Sequence, residues 1–600
     1  MVDGRERFVD AGAAQAAGYT LVDLSDGWTP FIFAEQPGPD GQAMPNRYRR
    51  VFVGLANDTL DDDGQPLEAG RKNYLELYGI PPSLSVLRAR FLEDATLDCH
   101  RDLDVAALAA VEDLAHLSAD RLLRREWRRE RLVKDVEEAR TKGESGRQID
   151  AKSRWLADYT AEQRALAEVE KRLACEGMLG LKDKHKPGVY DDPLVTAIRR
   201  FQHENKIYES SYRLRRTLQA LAATPLANDY QTLTRVLTER VVDAASILED
   251  GSTKGGKNLV DEHARVTLDQ LGWTSPEAAL DFFRRHPQAD FTRLRAAIRL
   301  PAPPEHYAPH MDLSFLIDPG DVWYEPLFDA KGGLRNPSRD RFPSFTVLAK
   351  QQGRAVPLVR WRTTVGGWRS EQASDGYEYY RYKGSDIGPR VIRRVVAGPV
   401  WIAPESTPIR TMVKRKYVDH VLQPVVDYDE IGPGYRSAYG VVAGYFVVPG
   451  RNGRPDWDKG IRAHGSSEYL SMYSNSGYSH GCHRLPNHLA IRLYSFVLRH
   501  RTMRPAGDDP SRYSRQFLKD DEVFELRIPS RGFVFELDPP LPVEVLEGNV
   551  RGKEKEPITV YIPKPGVKYP GPPPPVRDGT EARAGGAAGV GEPQEEEEAP

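Results

Sequence analysis

The sequence predicts a multidomain protein with a mixed N-terminal region, a mainly α-helical middle, a β-rich domain and a disordered C-terminal tail. Three observations support this prediction. The chain has 600 residues, more than one hydrophobic core normally holds. The spacing of apolar residues changes from about 3.6 to about 2 after the Pro-rich stretch 300–310. From Lys564 onward the chain is rich in Pro, Gly, Ala and Glu, a composition that buries too little apolar surface to fold.

The same patterns divide the chain at its composition shifts, and the main boundary is predicted at the Pro-rich joint. The predicted segments are 1–103 (a small mixed domain), 104–165 (charged amphipathic helices), 166–222 (a helical module), 223–300 (a helical region), 301–341 (the Pro-rich joint and lead-in strands), 342–529 (the β-rich domain), 530–563 (C-terminal strands) and 564–600 (the tail).

Short apolar runs between Asp, Gly and Pro residues predict strands near the N-terminus. These runs lie at 19–24, 30–35 and 48–55, and 73–94 is predicted as helix, turn and helix. The region contains no catalytic motif that we can identify, which favours a packing or docking role.

Long charged helices are predicted from about residue 104 to 180, because apolar residues recur every three to four positions among many Arg and Glu residues. Leu123, Trp127 and Leu132 belong to this apolar stripe. The Arg cluster there is either an anion-binding surface or a solvated face, and the neighbouring Glu residues favour the solvated face. Further on, Ser275 and Pro276 predict a helix start, as N-cap and first helical residue.

A three-helix pattern lies within 166–222. A first helix carries Val169 and Leu173, a turn follows at Gly188, and a second helix repeats apolar residues up to Phe201. The pattern resembles the small three-helix peptidoglycan-binding domain found beside cell-wall enzymes. The positions that match this family are Gly188, Tyr190, Asp191, Ala197, Ile198, Phe201 and Gln202. The resemblance implies a helical fold, with binding to cell-wall glycan as its function.

Beyond the joint the sequence predicts a β-rich domain, because apolar residues alternate and the runs are broken by Gly and Pro. The predicted strands lie at 344–350, 355–367, 378–383, 394–403, 438–448, 459–464, 523–528 and 533–537. One convincing helix interrupts them at 487–500, where Pro486 and Asn487 mark the start.

The chain has three cysteines, Cys99, Cys175 and Cys482. This sparse, odd set is not a disulfide framework, and no CxxC pair indicates zinc. At most one disulfide forms, which leaves one thiol free. Cys99 and Cys175 lie in helix-like contexts and are predicted to be small core residues.

Cys482 lies in a stretch that also contains His464, His480 and His483. A free cysteine is mostly a thiol at neutral pH, so a nucleophilic role requires an imidazole to take its proton and N–H groups to hold the oxyanion. Gly481 has no Cβ and lets the backbone turn so that Cys482 projects into a cleft. His464 ends a predicted strand 18 residues before the cysteine, enough for a strand, a loop and a return.

The order His, then Ser-His-Gly-Cys-x-Arg resembles the signature of the L,D-transpeptidases, which have the YkuD-type catalytic domain. The signature falls on His464, Ser479, His480, Gly481, Cys482 and Arg484, and the resemblance covers 342–529. It implies that Cys482 is the nucleophile, that His464 is the general base, and that backbone N–H groups from His480 to Cys482 shape the oxyanion pocket.

The remaining motif residues have supporting roles in this interpretation. Ser479 is predicted to hydrogen-bond the loop. Arg484 is predicted to orient the loop or to bind a substrate carboxylate, which a guanidinium pairs bidentately. Gly465, next to the base, is predicted to line the substrate site.

The resemblance implies acyl transfer in two steps: Cys482 attacks a peptidoglycan tetrapeptide stem, D-alanine leaves, and an amine resolves the thioester. No metal or organic cofactor is implied, and stem peptides are the expected partners. The net charge of −3 gives no indication of nucleic acid, and no apolar run is long enough for a transmembrane segment. The substrate implies an envelope or periplasmic location, although no signal peptide is visible at the start of the sequence.

Other interpretations stay open. His464, His480, Cys482 and His483 are all zinc-ligand types, Cys482 is alternatively an inert buried thiol, and His483 is predicted to be a loop residue. At the level of function, the alternatives are a Cys-His peptidase or amidase that uses water as acceptor, and a non-catalytic wall-binding scaffold.

Overall fold

A computed structural model of the chain describes residues 9–565 apart from 39, 62–63, 181–183, 211–212, 327, 330–331, 336, 374–375, 419–420, 474–476 and 559–560. The chain forms two compact units, one with residues 1–28, 53–244 and 263–300 and the other with 29–52, 245–262 and 301–600. The units are therefore not contiguous ranges of sequence. The segment 29–52, predicted as part of the first domain, belongs to the second unit, as does 245–262.

The α-helices are α1 Ala11–Ala16, α2 Arg47–Ala56, α3 Leu84–Asp94, α4 Val105–Ala109, α5 Ala119–Thr141, α6 Arg147–Cys175, α7 Asp192–Glu204, α8 Arg215–Ala222, α9 Pro225–Ala245, α10 Leu259–Leu271, α11 Pro276–Arg285, α12 Tyr428–Ile431, α13 Tyr469–Tyr473 and α14 Asn487–His500. Short 3-10 helices lie at Phe31–Phe33, Glu76–Tyr78, Ala115–Leu117, Gln288–Thr292 and Ile409–Thr411.

The strands are β1 Thr20–Asp23, β2 Gln36–Pro37, β3 Ala43–Met44, β4 Arg295–Ile298, β5 Asp312–Asp318, β6 Asp321–Trp323, β7 Ser344–Gln351, β8 Arg354–Arg362, β9 Val365–Gln372, β10 Glu378–Lys383, β11 Gly388–Ala397, β12 Val413–Val418, β13 Val421–Val426, β14 Val442–Val448, β15 Trp457–Ser466, β16 Tyr478–Ser479, β17 His483–Pro486, β18 Met503–Lys519, β19 Glu522–Val545, β20 Asn549–Arg551 and β21 Ile562–Pro563.

Two of the predicted N-terminal strands are wrong. The run 30–35 contains a 3-10 helix, and 48–55 lies within α2. The buried residues of α2 are Tyr48, Phe52, Leu55 and Ala56, which follow a helical rather than an alternating spacing. Aromatic and β-branched content misled the prediction there, whereas the burial pattern has the helical period.

The helical unit contains two hydrophobic cores, and the predicted module 166–222 shares one of them with residues upstream. That core joins Leu108 and Leu117 to Leu173, Ile198 and Phe201. The predicted boundary at 165–166 falls inside α6, a single helix of 29 residues. The second core contains the buried faces of α3, α9 and α11. The predicted cap of α11 is confirmed, because the side chain of Ser275 accepts from the Ala278 N–H.

The apolar stripe predicted on α5 is only partly buried. Leu132 is buried, but Leu123 and Trp127 are 77% and 65% exposed. At least one of the helix's arginines is ion-paired as expected, since Arg125 contacts Glu162 at 2.5 Å.

Cys99 and Cys175 form a disulfide within the helical unit, with their Cα atoms 5.6 Å apart. The prediction that both are core residues is therefore wrong: Cys99 is a buried turn residue, and Cys175 is an exposed residue at the end of α6. Spacing alone did not indicate this pairing, because 76 residues separate the two positions. Cys482 is left as the free cysteine.

Replacing both disulfide cysteines by Ser is expected to destabilise the helical unit by roughly 2–4 kcal/mol, because the bond closes a long loop and restricts the unfolded chain. Guanidinium unfolding of the full-length protein measures this change, with Cys482→Ala as the control that keeps the bond. Equal stability of the double variant and the wild type would contradict the prediction.

Glu204, at the end of α7, is expected to make this unit less stable as pH rises. Its Oε2 atom is buried and has no hydrogen-bond partner among the described residues, and desolvation raises its pKa from 4.5 to about 7. The charges around it are those of Arg90, Glu176, Asp94 and Lys72. A raised pKa means that the unfolded chain ionises first, so stability falls between pH 4.5 and 7 by about 3 kcal/mol.

The variant Glu204→Gln keeps the shape of the neutral side chain and removes this penalty. We expect it to match the wild type at pH 4 and to be more stable at pH 8, as measured by chemical denaturation at both values. If the wild type and the variant differ by the same unfolding free energy at both pH values, Glu204 is not a buried neutral carboxyl group.

The second unit is built on a nine-stranded sheet with the order β17-β15-β14-β11-β19-β5-β7-β8, and β18 pairs with β19. The predicted limits 342–529 are too narrow, because β5 precedes them and β19 continues to Val545 in the middle of the sheet. A second sheet has the order β16-β9-β10-β21. Helix α14 has the predicted bounds, 487–500, and Leu493, Phe496 and Val497 on it are buried.

The predicted tail lies almost entirely outside the described residues. Lys564, its first residue, is 3.1 Å from Glu378 and follows the short strand β21. The range 566–600 is not among the described residues. Within the described part of the chain, no helix combines the length and apolar character needed to cross a membrane.

Candidate active site

The predicted catalytic residues lie on two neighbouring strands at one edge of the large sheet. Strands β15 and β17 pair in parallel, with His464 opposite Arg484. Cys482 directly precedes β17. Because side chains alternate between the two faces of a sheet, Arg484 shares a face with Arg462 and His464. Cys482 lies one residue before β17, and its Sγ contacts the carbonyl oxygen of Gly460 on β15. The thiol therefore lies against the strand that carries His464.

Three residues adjoin both groups and support this placement. The charges of Arg484 and Arg462 act on His464 and on Cys482 alike. The ring of Tyr439 lies 5.0 Å from the ring of His464, and ionised Cys482 is among the charges that raise the pKa of Tyr439 after burial itself. Arg462, Arg484 and Tyr439 are thus near both the thiol and the imidazole.

The Cys482 thiol is half-buried, and its Sγ lies 3.6 Å from the carbonyl oxygen of Gly460, to which it donates. Burial raises its pKa, while the N–H and the guanidinium of Arg462 lower it in part. The net shift is upward, so the resting side chain is a protonated thiol at neutral pH.

The His464 side chain is 1% exposed and neutral at physiological pH. Burial, assisted by the positive charge of Arg484, lowers its pKa to about 3. Its Nδ1 is 2.7 Å from the carbonyl oxygen of Gly465. A carbonyl only accepts hydrogen bonds, so the ring proton is on Nδ1 and the lone pair is on Nε2. This tautomer makes Nε2 the atom that can take a proton.

The loop before Cys482 is held by the side chains of Ser479 and Thr364. Ser479 Oγ donates to the Cys482 carbonyl oxygen and accepts from the Gly481 N–H at 3.1 Å. Thr364 Oγ1 donates to the same carbonyl at 3.0 Å. Gly481 has φ +113°, and a Cβ there would lie 2.5 Å from the Gly384 oxygen. A side chain at 481 would therefore displace the loop.

The Arg484 side chain is paired with another side chain of the protein. Its guanidinium forms an ion pair with Glu468, and its side chain is 17% exposed. The backbone N–H of Arg484 donates to Thr364 Oγ1 at 3.1 Å. Of the two roles predicted for Arg484, the contacts match loop orientation, and the Glu468 carboxylate already occupies the guanidinium.

His480 differs from His464, because its side chain is exposed. Partial desolvation and the positive charges of Arg369 and Arg484 lower its pKa. Arg369 donates to the Trp368 carbonyl oxygen at 3.1 Å. Among the described residues, no hydrogen bond joins the His480 ring to the thiol, and its predicted catalytic role stays a prediction.

The prediction that His483 is a loop residue is wrong. It is fully buried at the start of β17, its Nδ1 lies 3.1 Å from the Thr364 carbonyl oxygen, and its ring stacks on Phe446 at 5.7 Å. Alternation along the strand turns it away from the face that carries Arg484. In the described part of the chain no group of three or more His, Cys, Asp or Glu side chains is arranged to hold a metal ion.

Gly465, predicted to line the substrate site, is instead buried and structural. A Cβ at this position would lie 2.1 Å from Asn487 Oδ1, and its carbonyl oxygen holds the His464 ring. Asn487, the first residue of α14, in turn donates to the Tyr435 carbonyl oxygen at 2.9 Å.

Several site residues were missed from the sequence. Arg462 is two positions before His464, where strand alternation gives it the same face, and that period was the available signal. It pairs bidentately with Asp458 at 2.6 and 2.7 Å. Tyr439 and Thr364 lie far from the motif in sequence, and only strand pairing brings them to it.

No protein-family model matches this chain, and no curated protein matches it either. The chemistry assigned to the site therefore depends on the geometry described above.

Proposed function

We propose that the protein is a cysteine-dependent acyltransferase of the L,D-transpeptidase type that acts on peptidoglycan stem peptides. The observation that carries this proposal is a pair of groups at strand β15: the free thiol of Cys482, which contacts the strand at Gly460, and the neutral imidazole of His464, whose Nδ1–H is held by the Gly465 carbonyl. An inert thiol needs no such oriented base beside it.

The first step transfers the acyl group to sulfur. As Cys482 Sγ attacks the carbonyl before the terminal D-alanine, its proton passes to His464 Nε2 and the C–S bond forms. Because both groups are neutral at rest, proton transfer accompanies attack and no stable ion pair precedes it. The imidazolium then gives the proton to the departing amine of D-alanine, the peptide bond breaks, and a thioester remains on Cys482.

The oxyanion of this step is assigned to backbone N–H groups near the thiol. The Gly481 N–H is bonded to Ser479, whereas those of His480 and Cys482 have no hydrogen-bond partner in the described part of the chain. The guanidinium of Arg462 adds positive potential near the sulfur. Such preorganised donors supply the main stabilisation of a tetrahedral intermediate.

The second step reverses these roles. An amine from a neighbouring stem loses its proton to His464 Nε2 as it attacks the thioester, and the thiolate leaves and is reprotonated. One amide bond forms for the one broken, so no oxidant, metal or energy source is needed. Water in place of the amine gives hydrolysis, which is the peptidase alternative.

The disulfide supports a site of action outside the cytoplasm. Disulfide bonds persist in oxidising compartments, and peptidoglycan lies in one. We propose an envelope location on this basis, together with glycan binding by the helices that resemble a peptidoglycan-binding domain. In those helices Asp191 caps α7 and Gly188 has φ +76°.

The proposal is tested by incubating the purified full-length protein with a tetrapeptide stem and an excess of a stem that carries a free side-chain amine. We expect release of D-alanine together with a cross-linked dimer, both measured by mass spectrometry, and covalent labelling of Cys482 by a carbapenem. Hydrolysis without dimer would support the peptidase instead. Absence of both turnover and labelling would contradict any enzymatic role and leave the scaffold.

A further inference from the structure

The second unit contains a buried arginine, Arg339, for which the described residues supply no hydrogen-bond acceptor. Arg339 is 6% exposed, and its Nε, Nη1 and Nη2 atoms are buried with no hydrogen-bond partner among the described residues. Other buried arginines of this unit have partners: Arg462 pairs with Asp458 and Arg390 with Asp386, while Arg501 donates to backbone carbonyl oxygens. An uncompensated buried charge is strongly destabilising, so an arginine kept in this position calls for an anion from outside the chain.

The backbone around Arg339 is fixed on both sides. The carbonyl oxygen of Ser338 accepts from Trp323 Nε1 at 3.1 Å. The N–H groups of Asp340 and Arg341 both donate to Asp321 Oδ2, at 2.9 and 3.0 Å. Asp321 is itself 1% exposed. The backbone that carries Arg339 is therefore fixed before any ligand arrives, which lowers the entropy lost on binding.

The guanidinium lies against one member of a group of aromatic side chains. Its Cζ lies 4.3 Å from the centre of the Tyr478 ring. The Tyr478 hydroxyl and Trp368 Nε1 are also buried without hydrogen-bond partners in the described part of the chain. Tyr382 packs on Trp368 with ring centres 5.8 Å apart, and the positive charge of Arg339 acts on the Tyr382 hydroxyl. Tyr382 is only partly buried, so this side of the cluster reaches solvent.

Tyr478 connects the cluster to the proposed active site along the chain. It lies on β16, four residues before Cys482, a separation of at most about 14 Å. Arg369, next to Trp368, places a second positive charge near Tyr478 and Arg484. Arg484 is paired with Glu468, whereas Arg339 has no carboxylate partner among the described residues.

We propose that Arg339 binds a carboxylate of the acyl-donor peptide and so selects acidic peptides as substrates of Cys482. This inference rests on the proposed function and names the substrate feature that the site recognises. A guanidinium donates two parallel hydrogen bonds to a carboxylate, and the Tyr478 hydroxyl and Trp368 N–H are further buried donors of the same group of side chains. The aromatic faces exclude water, which strengthens the ion pair. The carboxylate role predicted for Arg484 is thereby reassigned to Arg339.

The test uses Cys482→Ala protein, which binds without turnover, and a synthetic stem tetrapeptide with its carboxylates free or converted one at a time to carboxamides. Calorimetry measures each affinity. We expect amidation of one carboxylate to weaken binding at least about tenfold. In Arg339→Gln/Cys482→Ala that difference is expected to fall below about twofold. Arg341→Gln/Cys482→Ala is the matched control, because Arg341 is the exposed neighbour that pairs with Asp318, and it keeps the full difference.

The stability of Arg339→Gln distinguishes binding from a structural role, because a structural arginine would destabilise the fold when replaced. Because its guanidinium has no partner in the described residues, Arg339→Gln is expected to unfold at the same temperature as the parent or a higher one, while losing carboxylate binding. The inference is overturned if the double variant keeps the parent's preference for the free carboxylate, if the parent binds neither peptide, or if only inorganic anions such as phosphate compete. D-alanine release by the wild type is scored separately, so failure of the proposed function and failure of this inference remain distinct.

Discussion

Replacing Cys482 by Ala is expected to lower D-alanine release from a tetrapeptide stem by at least about a thousandfold, because the thioester cannot form without the sulfur. Cys482→Ser is expected to be nearly as inactive, since an alcohol is far less acidic than a thiol and the weak base His464 would have to deprotonate it. Initial rates of D-alanine release under substrate saturation measure both variants.

The fold is expected to survive this change. Cys482 is half-buried, makes one weak thiol contact to Gly460, and takes no part in the disulfide. Circular dichroism and the unfolding midpoint of Cys482→Ala should therefore match the wild type. Substantial activity in the correctly folded variant would mean that the nucleophile lies elsewhere.

Replacing His464 by Gln is expected to lower the same rate by about a hundred- to ten-thousandfold, because general-base assistance is lost while the sulfur remains. The buried position and the hydrogen bond to Gly465 give this imidazole its tautomer, and Gln supplies no comparable basic nitrogen. Single-turnover measurement of acylation isolates the affected step from product release.

The pH dependence of the acylation rate distinguishes loss of the general base from loss of packing, because lost packing alone would not change it. With the His464 pKa near 3 and the Cys482 pKa raised above its usual value, wild-type acylation is expected to be nearly constant from pH 5 to 8. A rate that rises with a midpoint near 6.5 would show an ordinary histidine instead. His483→Asn is the matched control: it lies on the neighbouring strand, faces the other way, and should leave the acylation rate within about threefold.

Much of the second unit could be predicted from sequence, because its signals are local. The alternation of apolar residues predicted strands such as β7, β10 and β15, and the helix after Cys482 has the predicted bounds. The motif spacing fits a site in which His464 and Cys482 lie on adjoining strands, since the parallel pairing of β15 and β17 needs the intervening loop.

What the sequence did not reveal depends on pairing between distant segments. The Cys99–Cys175 bond joins a turn to the end of a long helix, and nothing local marks it. Strand β19 lies in the middle of the sheet, so the domain extends well past residue 529, its predicted end. Gly465 and His483 were misjudged for a related reason: burial against Asn487 and Phe446 is tertiary and leaves no pattern in the motif itself.

Intact-protein mass spectrometry after brief mixing with a tetrapeptide stem tests the central chemistry most directly. We expect a mass increase equal to the peptide minus D-alanine, located by peptide mapping on Cys482, formed quickly by the wild type and not by Cys482→Ala. If the wild-type mass stays unchanged while the peptide remains intact, this thiol does not accept the acyl group and the transpeptidase assignment is wrong.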